Sequence, residues 1–340
     1  MTESRSIHLV GSIGLFDAEA VFRMLSETVG GRAPCYPDGE TGERSIWIRW
    51  QRKVFEDHPD IVLIEEIDPF GDGITRPVFG IRPGVDPDTL DLGVLGYAAA
   101  ATDSGRLFAK LKQDGTIPPG TRFQVSLPTP VAVINGFIHP DQRAALEPAY
   151  ERAMAAEVER ICAAIDHDEL AIQWDVCHEV VGHDGGFALH YDDVLGGSLD
   201  RLRRLGGLVP AGVKLGFHLC YGDPGHKHIV EPEDTATAVA FANGICARVP
   251  RQVDFIHLPV PRGRDDDAYF APLRDLALAP GTELILGLAH HTDGVAGTRR
   301  RAAAAKLVSD FGIGTECGFG RREASTIPDL LRTHAEVADG

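Results

Sequence analysis

Two short segments carry residue types that can hold a soft metal. Gly216-Phe217-His218-Leu219-Cys220-Tyr221-Gly222 sets an imidazole and a thiol two positions apart. In extended chain, residues i and i+2 point the same way, so His218 and Cys220 can reach one ion. Imidazole nitrogen with thiolate sulfur suits zinc, which takes such ligands at ~2.0–2.3 Å. A bare His-x-Cys fits a packed core histidine beside a buried cysteine equally well. The metal reading gains from Glu316-Cys317-Gly318-Phe319-Gly320-Arg321, where a cysteine precedes glycines that permit close backbone approach.

These segments have to be positioned by regular elements. Apolar, β-rich runs at Ile7–Ser12, Ile61–Glu66, Arg122–Leu127, Leu170–Trp174, Val213–Phe217, Val253–Leu258, Glu283–Leu288 and Ile313–Cys317 make eight candidate strands. Helical patterns lie between them at Asp17–Glu27, Gln142–Ala164, Leu199–Leu205, Pro232–Ala247 and Thr298–Asp310. Such alternation implies parallel βαβ units, and eight of them close a (β/α)8 TIM barrel. An open doubly wound sheet is the competing arrangement, but no strand runs directly into G-x-G-x-x-G. Residues 34–50 read as too Gly-rich and polar for a strand, with an aromatic helix start. Residues 68–95, rich in Gly and Pro, read as an excursion over the barrel mouth. No linker composition and no internal repeat interrupts the chain, so 1–340 reads as one domain with long loops over the C-terminal face.

In such barrels the chemistry gathers where strands end. The ends here offer Ser12, then Ser126, then Asp175, Cys177 and Glu179. His218 and Cys220 follow, then His257, then His290 and His291, and last Cys317. Five of eight ends carry His or Cys, which points to a metal. Cys35, Cys162 and Cys246 lack evident partners and read as packing residues. The arginine run 299–301 reads as a solvated helix face.

Composition excludes other classes. With 44% apolar and 24% charged residues the chain is an ordinary globular protein. Its 33 basic and 50 acidic residues give a formal charge of −17, a poor match to nucleic acid or an anionic membrane. No apolar run approaches the ~18–20 residues of a membrane span. Six irregularly spaced cysteines are no disulfide framework and favour a reducing compartment, so a cytoplasmic location is expected.

At these residues the chain resembles the cobalamin-independent methionine synthase family. GFHLCYGD is similar to its H-x-C-Y segment, and TECGFGRR to its late D-C-G-x-x-x-R segment. Leu9-Val10-Gly11-Ser12-Ile13 resembles the early G-S-F strand, and Asp38-Gly39-Glu40 with Glu43-Arg44 the H-G-E-x-x-R loop. Ile172-Gln173-Trp174-Asp175 resembles the Q-I-D-E-P strand. The likeness spans about residues 7–322 in family order. Its length is that of the single-barrel members, in a superfamily that includes uroporphyrinogen decarboxylases and coenzyme M alkyltransferases. The resemblance implies that His218, Cys220 and Cys317 ligate zinc, and that Ser12, Glu40 and Asp175 hold the amino-acid part of a thiol acceptor such as homocysteine. It implies transfer of a methyl or other alkyl group to sulfur. The donor would be a folate, a methylated corrinoid protein, or a small methoxy or epoxide compound.

The chain also departs from the pattern. Where the family has a glutamate ligand on strand six, Asp254-Phe255-Ile256-His257-Leu258-Pro259 has proline, and His257 is the candidate fourth ligand. The family's D-E-P is Asp175-Val176-Cys177, without its second acid. The family's D-I-H-S, whose histidine protonates the leaving group, corresponds to Ala289-His290-His291-Thr292, which makes His291 the candidate acid. Two other functions fit less of the sequence. A metal-free decarboxylase of the uroporphyrinogen type would gather Arg122, Arg262, Arg321 and Arg322 at the mouth. A non-catalytic barrel would keep zinc, closed by His257, as a staple, or would bind a thiol without turning it over.

Overall fold

Short apolar runs become strands because each buries one face in the barrel lumen and the other under helices. The computed structural model describes residues 4–68, 75–223, 227–308 and 310–340. Ten strands occur among them in chain order. They are β1 (Ile7–His8), β2 (Cys35–Pro37), β3 (Ile61–Ile67), β4 (Arg76–Ile81), β5 (Arg122–Pro128), β6 (Leu170–Val176), β7 (Lys214–Leu219), β8 (Phe255–Pro259), β9 (Glu283–Ala289) and β10 (Gly312–Thr315). Eight form one sheet in the order β1-β10-β9-β8-β7-β6-β5-β2, with every pairing parallel. The ends of that sheet meet just beyond β1 and β2 at a parallel bridge between Ser12 and Gly39, where Ile13 N–H donates to Gly39 C=O at 2.9 Å. The fold is therefore the expected (β/α)8 barrel.

Its second strand is not the one the pattern indicates. Ile61–Ile67 pairs antiparallel with Arg76–Ile81 in a separate hairpin, and Leu63, Ile64 and Ile67 are exposed. The barrel instead uses Cys35–Pro37, inside the stretch read as too polar for a strand; its three residues are all buried. Of the excursion at 68–95, residues 69–74 lie outside the described residues. The part that follows forms β4, whose Phe79 bridges to Ile138 at the end of the helix Pro130–Phe137.

Helices lie close to their expected places. Asp17 caps Ala18–Thr28 by accepting from Ala20 N–H at 2.8 Å. Arg143–Ala164, Val194–Gly207, Ala236–Arg248 and Gly294–Ala304 supply the other expected helices. Arg301 overturns the solvated reading of its run. It is 1% exposed and clamped by Leu288 C=O, Arg262 C=O and Asp293. No described helix is long and apolar enough to cross a membrane.

The lumen is polar, and this bears directly on the site. Gln173 Oε1 on β6 accepts from His8 Nε2–H at 2.7 Å, and its amide NH2 donates to Val10 C=O at 2.6 Å and Asp175 Oδ1 at 2.8 Å. Gln124 and Ser126 on β5 donate to Val10 C=O at 3.1 and 2.9 Å. These bonds tie β1, too short to hold itself, to the far wall. β7 depends on a gap of another kind. Gly216 lies opposite Phe255 in register, and a Cβ at 216 would overlap the Phe255 ring. Gly216→Ala is expected to destabilise the protein by about 1–3 kcal/mol through forced repacking next to His218. Urea denaturation reads this out, and an unchanged midpoint would contradict the packing.

Candidate metal centre at the barrel mouth

Parallel register lays the polar groups out in rows. Asp175 on β6 pairs with His218 on β7, and His218 pairs with His257 on β8. Cys220 follows β7, its N–H donating to Val176 C=O at 3.0 Å. Cys317 follows β10, and Phe319 N–H donates to Ser12 C=O at 2.8 Å. A side chain at Gly318 would strike Ser12 Oγ, so glycine is needed for this turn to close over the mouth. Although β8 and β9 separate β7 from β10, the thiols of Cys220 and Cys317 approach to 3.6 Å.

One ligand atom from each of His218, Cys220 and Cys317 lies within 4.8 Å of the others. Two sulfurs bound to zinc at ~2.3 Å in tetrahedral directions sit about 3.8 Å apart, close to the separation found. The six cysteines are free, so the contact is not a bond. Contact with Cys177 and burial raise the Cys220 thiol well above its ordinary range, while contact with Cys220 and burial do the same for Cys317. Without a cation these sulfurs stay protonated.

His257 is not among the side chains whose ligand atoms converge. Both its ring nitrogens are taken, Nε2 by Thr315 C=O at 2.9 Å and Nδ1 by His218 Nδ1 at 2.7 Å. A carbonyl only accepts, so His257 Nε2 carries the proton. Burial holds His257 well below the usual histidine range and His218 at about 3, so both rings are neutral. His257 Nδ1 is then the acceptor and His218 Nδ1–H the donor. The lone pair of His218 falls on Nε2, which is buried and has no hydrogen-bond partner among the described residues. That orphaned nitrogen and two facing thiols fit zinc.

Beside the triad the structure gathers Ser12, Glu40 and Asp175. Ser12 Oγ accepts from Gly320 N–H at 3.3 Å. Glu40 has φ of 50°, a left-handed conformation costly for a side-chain-bearing residue, and Asp38 fixes it by accepting from its N–H at 2.9 Å. Asp38 is itself held by Arg44 at 2.6 Å. Burial, and then the charge of Asp175, push Glu40 up to about 8. Burial pushes Asp175 up to about 7 against hydrogen bonds from Gln173 and Trp47.

Both values lie above those of an unfolded chain, near about 4. From there up to pH 7–8 the unfolded state has released protons the folded state keeps, so stability falls as pH rises. Glu40→Gln is therefore expected to stabilise the protein more at pH 8 than at pH 5. Denaturation midpoints at the two pH values check this, and an equal gain at both would contradict it.

The remaining candidates do not all converge. His290 is buried, with Nε2 on Val260 C=O at 2.9 Å and Nδ1 3.8 Å from Glu316, and burial lowers it to about 3. His291 is half-buried. Arg122 bonds Leu170 C=O and Gly212 C=O at the opposite, entry ends of β6 and β7. Arg321 is paired with Asp223 at 2.7 Å, and Arg262 with Thr292 at 3.0 Å. Arg122 therefore lies apart from the mouth. Two residues matter more than their sequence context indicates. Gln173 orients Asp175 from two positions away on the same strand, and Cys177 packs against Cys220 through the β6–β7 register.

No protein-family model matches the chain, and no curated protein matches it. Solved structures do. A B12-independent methionine synthase from Shewanella sp. W3-18-1, solved with selenomethionine, superposes with a TM-score of 0.63 at 16% identity, covering 95% of this chain and 85% of that one. A putative vitamin-B12 independent methionine synthase from Listeria monocytogenes gives 0.58 at 14% identity, covering 100% and 98%. At such identity the likeness is one of fold.

Proposed function

We propose that the chain is a single-barrel member of the cobalamin-independent methionine synthase superfamily, a zinc-dependent enzyme transferring a methyl or other alkyl group to a thiol. The observation that carries this reading is the His218, Cys220 and Cys317 triad at the mouth of a barrel of that fold. Zinc held by His218, Cys220 and Cys317 would supply a Lewis acid that lowers the pKa of an acceptor thiol, so that it would bind as thiolate with its proton released to solvent and stay nucleophilic at neutral pH. Two thiolates and one imidazole balance its charge, so the acceptor sulfur is not drained by a cationic centre. Three protein ligands are the pattern of a catalytic site.

The chain's own residues do the rest. Glu40 and Asp175 take the ammonium group of a homocysteine-like acceptor, whose positive charge relieves their mutual repulsion, and Ser12 with the neighbouring backbone takes its carboxylate. His291 protonates the leaving group. His290 cannot, because burial strips its proton at neutral pH and its Nε2 is committed to a carbonyl. The donor is a folate, a corrinoid-bound methyl group, or a small methoxy or epoxide compound. Free thiols throughout suit a reducing cytoplasm.

The competing functions lose support here. A staple closed by His257 needs a nitrogen that the structure commits elsewhere. A decarboxylase needs converging arginines, and Arg122 lies at the wrong end of the barrel. The deciding experiment is zinc-edge X-ray absorption during titration with homocysteine and other thiols. One zinc per chain and one added sulfur neighbour are expected. An unchanged shell at saturating thiol, or no stoichiometric zinc, would sink the proposal.

A further inference from the structure

Cys220 and Cys317 come from loops whose strands are not neighbours, since β8 and β9 lie between β7 and β10. Two charged links join those loops directly. Arg321, shortly after Cys317, donates from one guanidinium nitrogen to Asp223 C=O at 2.9 Å and to Asp223 Oδ2 at 2.7 Å. Asp223 follows Cys220 closely in the other loop. His228, further along that loop, brings Nε2 to 2.6 Å from Glu316 Oε1, and Glu316 immediately precedes Cys317. The other ring nitrogen of His228 lies 3.0 Å from Glu231 Oε2. Against burial, these two carboxylates raise His228 to about 9, so the ring is a cation at neutral pH. Ile229 N–H donates to Tyr221 C=O at 3.0 Å, and Ile229 and Cys317 both pack against the cluster that holds Cys220.

We infer that Arg321 and His228 are positioning residues for the metal centre: they lash the loop of Cys220 to the loop of Cys317 and so preset the spacing of the two sulfurs. The inference deepens the zinc reading above and rests on it. The two sulfurs share no covalent bond at 3.6 Å, and as thiolates on one ion they repel. The sheet does not pair their strands, and each link crosses that gap. Fully exposed ion pairs contribute little, but the side chains of Asp223 and His228 are only 18% and 7% exposed. Charge-assisted contacts of this kind fix direction as well as distance. Ligands held in place lose less conformational freedom when the ion binds, which raises affinity without adding a ligand.

Phenylarsine oxide tests this without metal. Its arsenic forms As–S bonds to two close thiols, and its oxygen leaves as water with their two protons. Full-length metal-free protein would be titrated as wild type, Arg321→Met, Arg321→Lys, His228→Phe and the double variant Arg321→Met/His228→Phe. Wild type is expected to take up one arsenical per chain, and Cys317→Ser to abolish the uptake. Arg321→Met and His228→Phe should each weaken capture by about threefold to tenfold, and the double variant by about 10–100-fold. Arg321→Lys keeps a cation within reach of Asp223 and should recover most of the Arg321→Met loss. Circular dichroism checks that each variant is folded, and zinc competition against a chelator should follow the same order. Undiminished capture in both single variants, or Arg321→Lys as weak as Arg321→Met, would overturn the inference. Capture that survives Cys317→Ser would overturn it too, because the arsenic would then sit on another pair. Wild type that captures the arsenical but binds no zinc would sink the zinc reading and leave the cross-loop links standing.

Discussion

Replacing Cys317 by serine is expected to strip the protein of stoichiometric zinc and to lower thiol alkylation by about a thousandfold or more. Among the described residues three side chains converge on the site, so removing one leaves two, and a serine hydroxyl does not ionise to take the place of a thiolate. The barrel should survive. Its apolar core lies between sheet and helices, and Cys317 follows β10 in a loop at the rim. Metal analysis, turnover and circular dichroism on the same preparation separate these effects. Full zinc occupancy with near-normal turnover in Cys317→Ser would remove the metal centre from the mechanism. His218→Ala and Cys220→Ser should behave alike, since each removes one of the three converging side chains.

The second large effect is indirect. His257→Phe is expected to weaken zinc binding by about 10–100-fold while leaving one site per chain at saturating metal. The histidine holds no metal in this reading. It fixes which nitrogen of His218 carries a lone pair, by donating to Thr315 C=O and accepting from His218 Nδ1–H. Phenylalanine fills the space but does neither, leaving a buried N–H and a buried carbonyl unpaired. Glutamine can donate with its amide and accept with its carbonyl, so His257→Gln should recover part of the loss. Competition against a chelator measures both variants. Equal affinity in wild type and His257→Phe would show that the hydrogen-bonded pair does not orient the ligand.

Much of this site is readable in the chain because its ligands follow local rules. His218 and Cys220 share a face through strand periodicity, and Cys317 is marked by the glycines after it. The eightfold alternation likewise predicts the barrel. The wrong second strand has a physical cause. Ile61–Ile67 has the apolar, β-branched content of a buried strand, yet Leu63, Ile64 and Ile67 face out from a hairpin. Cys35–Pro37 is too short and too hemmed by proline and polar residues to show periodicity, and the neighbouring β5 supplies what its own sequence lacks. His257 shares a face with His218, as a ligand must, and only the Thr315 carbonyl, 58 positions away, shows that its nitrogens are spent. Cys177 gains its meaning from register between β6 and β7, and Gln173 from contacts across the lumen to His8 and Val10, which no single segment encodes.

The shortness of β1 and β2 has a further consequence. These two-residue and three-residue strands are joined to each other only where Ser12 meets Gly39, one position before Glu40. On the function proposed above, an amino acid held by Ser12 on one lip and Glu40 on the other would rivet that seam shut, so catching the acceptor and stiffening the N-terminal edge of the barrel would be one event.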